Sequence, residues 1–192
     1  MTSTITASLD ARARRLLLHL KAEMFREVAL PEPVRGRLFL HSMPGRYETI
    51  AQFLSEAERL DLDLVVCLAS ENEIRDKSPA YFAARSERAT PFSIRDFPIQ
   101  DHGAPPEEEM PAFEELVGTI SSKLRAGKLV LIHCWMGIGR TGTVATCVLL
   151  ELGLEPVSAR HLVWKAGSAA EALPQRNLIA RYSSVCRGRS DA

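Results

Sequence analysis

From Arg37 onward the apolar residues fall into two alternating patterns. Leu64-Val65-Val66-Cys67-Leu68 and Lys128-Leu129-Val130-Leu131-Ile132 are short, nearly continuous apolar runs, too brief for helices and suited to buried strands. Arg37-Leu38-Phe39-Leu40 reads as another short strand, and Phe92 to Ile99 alternates like an edge strand that ends at a proline. Between them the apolar spacing changes to that of one helical face: Ile50, Phe53, Leu54, Ala57 and Leu60, then Phe113, Leu116, Val117, Ile120 and Leu124. A polar, helix-prone stretch runs through Ile74 and Tyr81. Thr143 to Leu150 predicts a mostly buried helix, and two more helices are expected around Ser158–Lys165 and Pro174–Val185. Strands that alternate with helices predict an α/β fold, a mostly parallel central sheet flanked by helices.

Pro31-Glu32-Pro33 punctuates the chain, so we expect an N-terminal helical extension and linker over 1–33, one domain over 34–187 and a polar tail over 188–192. The start is amphipathic, with a helix expected from about Leu9 to Val28 that lies on the domain or binds a protein partner. Its arginines precede Leu16-Leu17-Leu18, but charged residues resume at once, which argues against a secretory signal; an organelle transit peptide is the other reading of this segment.

The chain has 24 basic and 24 acidic residues, so no global field draws it to nucleic acid or an anionic membrane, and neither is expected as a partner. The apolar run from Val144 to Leu154 is short for a membrane span. Four cysteines at irregular spacings form no zinc pattern and no secreted disulfide framework. A reduced, cytoplasmic protein without metal or cofactor is the expectation.

The chemistry gathers in Ile132-His133-Cys134-Trp135-Met136-Gly137-Ile138-Gly139-Arg140-Thr141-Gly142. A strand precedes it and a helix follows, so the loop directs free backbone N–H groups and a positive helix end into one small cup, a receptor for oxyanions. Trp135, Met136, Gly137, Ile138 and Gly139 would supply the backbone, with the glycines letting it curl around the anion. Arg140 adds a planar fork that holds two oxygens at once. The same environment favours thiolate at Cys134, which stands below a bound phosphoryl group for in-line attack and a phosphocysteine intermediate. Thr141 can donate its hydroxyl to the sulfur in the second step. His133 reads as a neighbour that stiffens the loop, with assistance to the thiolate as the other role.

A leaving oxygen also needs a proton. Asp101, on the exposed Gly/Pro loop from Gln100 to Pro106, is the expected general acid, with Asp96 as its rival. Cys67, at the C-terminal end of a buried strand, where parallel strands would also place the Cys134 loop, is a core thiol or a redox partner for Cys134.

HCWMGIGRTG matches the H-C-x(5)-R-[S/T] loop of the cysteine-dependent protein phosphatases, and the chain resembles their dual-specificity branch. Phe97 to Pro105 looks like that branch's general-acid loop. The likeness, closest to kinase-associated phosphatases, extends from about Leu38 to Tyr182 and includes V-V-C-L-A-S-E-N-E-I around Cys67. It implies the dual-specificity phosphatase fold, Cys134 as nucleophile, Arg140 as phosphate ligand, Asp101 as general acid and Thr141 as an aid to phosphoenzyme breakdown. It further implies hydrolysis of protein phosphotyrosine and phosphoserine/threonine without a metal. Relatives often carry two glutamines in a late loop, the first helping to place the hydrolytic water; here the first position is Glu171, a departure from that pattern, and Gln175 is a weak candidate for that role.

Two alternatives stay open. One is a phosphate-binding pseudophosphatase or adaptor. The other is a phosphatase of RNA 5′ ends, nucleotides or phosphoinositides, against which the absence of clustered basic residues near the loop counts.

Overall fold

The computed structural model describes residues 24–190. Among the described residues five strands form one sheet: β1 (Arg26–Val28), β2 (Arg37–His41), β3 (Leu64–Cys67), β4 (Ser93–Asp96) and β5 (Leu129–His133). Their order is β1-β2-β5-β3-β4. The last four run parallel, and only β1 pairs antiparallel, with β2. The helices are α1 (Ile50–Leu60), α2 (Glu71–Lys77), α3 (Pro79–Ser86), α4 (Met110–Arg125), α5 (Gly139–Glu151), α6 (Pro156–Lys165) and α7 (Leu173–Ser190).

Two sequence expectations need correction. The helix expected to reach Val28 is a strand at its end, because Val28 is buried and Arg26 to Val28 pair with Leu40 to Leu38. Most of that helix lies outside the described residues. The polar tail expected from 188 begins inside α7, which continues to Ser190.

Register decides which residues share a face, since residues directly opposite in a sheet point the same way and successive ones alternate. Leu38, Leu40, Val66, Val130 and Ile132 face α4, α5 and α7 in the largest core cluster, which also holds Cys134. Phe39, Val65 and Leu131 face the other way, against Phe53 and Ala57 of α1. The C-terminal ends of β2, β5 and β3 add His41, His133 and Cys67 to that second face, in register with one another.

Local sequence explains the main helices. Thr49 and Gln52 form a reciprocal capping box that starts α1. In α4 the residues Phe113, Leu116, Val117, Ile120 and Leu124 are all buried, the single face read from their spacing. Helix α5 is buried along nearly its whole length, so it is a central support for the loop before it. Among the described residues no helix is long and apolar enough to cross a membrane.

Candidate active site

Cys134 follows directly on β5, at the C-terminal edge of the parallel strands, and is only 2% exposed. The backbone turns sharply after it. Gly137 has φ +71°, and a Cβ there would lie 2.2 Å from the His41 carbonyl oxygen, so both backbone angle and space require glycine. The Gly137 N–H points at the Cys134 Sγ at 3.2 Å. Ile138 caps α5 without a side-chain partner for the helix N-terminus, whose free N–H groups are left for an anion.

Arg140, on the first turn of α5, is 2% exposed. Its terminal edge is taken by Glu73: Nη1 donates to Oε2 at 2.8 Å and Nη2 to Oε1 at 2.9 Å. Nη1 also donates to the Ile99 carbonyl at 3.2 Å. The side edge is different. Nε is buried and has no hydrogen-bond partner, while Nη2 lies 3.3 Å from Asp101 Oδ1. Such a fork, with one donor unpaired and the other held loosely, has the geometry of a receptor for two phosphoryl oxygens. Burial disfavours the guanidinium charge, but Glu73, the Cys134 sulfur and Asp101 outweigh it and raise the Arg140 pKa.

The fold brings Asp101 to this arginine as the sequence suggested. Phe97 N–H donates to the Cys67 carbonyl at 2.9 Å and Ile99 N–H to the Leu68 carbonyl at 3.0 Å, which anchors the approach to the loop. Beyond Ile99 the chain is free of the sheet, and Asp101 is 63% exposed. Asp96, the rival, is in register with Cys67 on the other face and is held by Arg85 at 2.6 and 2.8 Å. It does not reach the cup.

His133 is fully buried on the opposite face from Cys134. Its Nδ1 lies 3.1 Å from the Cys134 carbonyl, an acceptor only, so Nδ1 carries the hydrogen. Nε2 is then the acceptor for the Tyr81 hydroxyl at 3.1 Å. Burial lowers the ring's pKa to about 3, against a donation to the Cys134 carbonyl that raises it. A neutral ring bonded at both nitrogens suits the stiffening role better than charge assistance to the thiolate.

Cys67 shares that second face and packs with Met43, Ala69, Ile74 and Tyr81. The sheet separates it from Cys134, and both thiols are free. Burial pushes the Cys67 thiol up to about 11, which makes it a poor thiolate at neutral pH. The redox-partner reading gives way to the core-thiol one.

Thr141 is completely buried, and its hydroxyl has no partner, so it is not bonded to the sulfur here. Gln175 is buried too; its Oε1 accepts from the Glu171 and Ala172 N–H groups at 2.8 and 3.2 Å, and its Nε2 has no partner. A Cβ on Gly139 would meet Glu171 Oε2 at 2.4 Å and Gln175 at 3.2 Å, so both late-loop residues crowd the phosphate loop. Trp135 is half-buried with Arg46 and Lys77 over its ring at 4.0 and 4.7 Å, and Met136 is exposed at the rim. The tertiary fold therefore gathers basic residues beside the loop that no run in the sequence announces.

Sequence reasoning missed Glu73, Tyr81, Arg26 and Ser168. Glu73 had a usable signal: it follows the N-cap Ser70 in the segment after β3, the strand beside the loop strand. The others carry none, since each acts across long separations.

Comparison with known proteins agrees with this geometry. Residues 33–186 match the family described as "Swiss Army Knife protein, DSP-PTPase phosphatase domain". A probable protein tyrosine phosphatase type IVA A of Dictyostelium discoideum is 24% identical over 111 residues, 58% of this chain and 66% of that protein's length. Kinase associated phosphatase (KAP), solved with its catalytic-site cysteine replaced by serine, superposes with a TM-score of 0.69 at 19% identity, over 85% of this chain and 95% of that one. Tk-PTP in its active form gives 0.63 at 27% identity, over 85% and 98%. Human DUSP28 gives 0.58 at 21% identity, over 79% and 94%. With the matched residues enclosing the cysteine, the arginine and the acid loop, this chain belongs to the DSP-PTPase phosphatase domain family, cysteine-based phosphatases that hydrolyse phosphoesters.

Proposed function

We propose that this chain dephosphorylates proteins at phosphotyrosine and at phosphoserine or phosphothreonine, through a phosphocysteine formed on Cys134. The observation that carries the reading is the side edge of Arg140, a buried Nε without a partner beside an Nη2 that, besides its bond to Glu73, meets exposed Asp101 at 3.3 Å. An arriving phosphoryl group takes that edge and the loop N–H groups, and the Asp101 carboxyl turns to the leaving oxygen. The Cys134 sulfur forms the S–P bond as the P–O bond to the leaving group breaks, and Asp101 gives that oxygen its proton. Water then attacks phosphorus, gives a proton back to Asp101 and expels the thiolate. Gln175 and Glu171, against Gly139, hold that water, and the Thr141 hydroxyl turns toward the departing sulfur. The equatorial oxygens carry the transition-state charge that Arg140 and the N–H groups stabilise.

A reduced compartment such as the cytoplasm suits a thiolate nucleophile. Arg46 and Lys77 at Trp135 favour a second reading, a more highly charged ester such as a phosphoinositide or nucleotide. The test is turnover of an aryl phosphate, phosphopeptides and a phosphoinositide in EDTA, by wild type and Cys134→Ser. Phosphopeptide turnover lost in the serine variant is the expected result. Turnover of the phosphoinositide alone would transfer the function to the second reading, and a silent wild type that still binds phosphate would make the chain an adaptor.

A further inference from the structure

The matched family begins at residue 33, yet one residue upstream of it touches the phosphate loop. Arg26 of edge strand β1 spans three parts of the molecule. Its Nη2 donates to the Gly137 carbonyl at 2.6 Å. Its Nη1 donates to the carbonyls of Ala166 at 3.0 Å and Gly167 at 2.6 Å, and to Ser168 Oγ at 3.2 Å, all in the turn between α6 and α7. Buried Ser168 donates its own hydroxyl to the same Gly137 carbonyl at 2.6 Å.

Resting on the reading of this site as a phosphatase, we infer that Arg26 is a positioning residue for the reaction, holding the Gly137–Ile138 peptide so that its N–H faces the bound phosphoryl group. The peptide is planar and trans, so pinning the carbonyl on one side fixes the Ile138 N–H on the other. Two donors on one carbonyl oxygen over-determine its direction. The turn at 166–168 is shaped for this cation: Gly167 has φ +74°, and a Cβ there would come within 2.9 Å of Arg26 Nη1.

Charge points the same way. Among the described residues no carboxylate pairs with Arg26, whereas Arg140 is flanked by Glu73 and Asp101. Desolvation lowers the Arg26 pKa, and the Cys134 charge works to raise it, so the guanidinium and the sulfur feel one another. Lysine would keep the charge but could not bridge two walls, because its donors radiate from one nitrogen.

The experiment compares wild type with Arg26→Met, Arg26→Lys and Val28→Ala. The last weakens the burial of β1 and keeps the guanidinium. Aryl phosphate kcat and KM, binding of inorganic phosphate by calorimetry and Tm are measured for each. A misdirected loop donor costs less than a deleted one, so kcat falls roughly tenfold or more in both Arg26 variants, with phosphate binding weakened several-fold. Val28→Ala is expected to lower Tm with kcat near wild type. Arg26 variants that keep wild-type kcat and phosphate affinity while losing only Tm would overturn the inference; if Arg26→Met does not fold, Arg26→Lys decides alone. Should wild type itself be silent toward aryl phosphate, the phosphatase reading fails separately, and phosphate affinity judges Arg26: weakened supports it, unchanged sinks it.

Discussion

The phosphate loop and the acid loop meet at one arginine and are built in opposite ways. In the phosphate loop Cys134 is buried, its carbonyl is held by His133, and the Gly137 carbonyl is held twice. In the acid loop Asp101 is mostly exposed, with a 3.3 Å contact to Arg140 and its own neighbour's N–H at 3.2 Å. A group that recognises charge gains from being fixed before the substrate arrives, since it then costs no reorganisation. A proton donor must leave its resting partner and find the leaving oxygen, so it gains from being loose. On the proposed mechanism the difference teaches that binding is preorganised, while proton delivery is assembled by the substrate.

The sharpest way to break the comparison is Asp101→Asn. Turnover of a phosphopeptide or alkyl phosphate should fall about 10²- to 10⁴-fold, the range for a lost general acid. An aryl ester with an acidic leaving group should suffer much less, and Tm should not fall, because the side chain is exposed. A large loss of Tm would show that the acid loop is structural after all.

Next is Glu73→Ala, which strikes the fixed half. It leaves the buried Arg140 without its bidentate partner and should destabilise the fold by about 3–5 kcal/mol, the usual penalty for uncovering a buried charge. Phosphate should then raise Tm by more than it does in wild type, as the anion supplies the missing counter-charge. Denaturant melts check the first statement, and thermal melts with and without phosphate check the second.

The smallest effect concerns the support behind Cys134. Tyr81→Phe removes the donor to His133 Nε2 and should cost about 1–3 kcal/mol in denaturant melts, the penalty for one buried group left unpaired. The ring also makes stability depend on pH. Its folded pKa is about 3 against an ordinary 6.5, so between those values only the unfolded chain takes the proton. Stability therefore falls as pH drops from 6.5 toward 3, and this group adds no slope above 6.5. In His133→Asn the slope over that window should be shallower; an unchanged slope would mean that the ring is protonated in the folded state.

The legible parts of the fold are those set by local pattern. The apolar faces of α4 and α1 and the run that became β5 need no distant partner to be recognised. Arg26 to Val28 were misjudged for the opposite reason: helical spacing in a short segment yields when a sheet edge offers pairing and burial. At the site, the contiguous cysteine, glycines and arginine made the loop a candidate in the sequence, and the Gly and Pro of its loop made Asp101 one.

The sequence by itself determined the chemistry: a cysteine and an arginine on one strand–loop–helix unit, where covalent connection keeps them within reach of one phosphoryl group. Tertiary structure decided which edge of Arg140 is open and which is closed, because Glu73 arrives from α2 and Asp101 from beyond β4. Strand register alone placed Cys67 and His133 behind the sheet, away from the sulfur, since one step along a strand reverses the face. The clamp on Gly137 likewise exists only once β1 and the α6–α7 turn are folded against the loop, as hydrogen bonds across such separations have no imprint in local pattern.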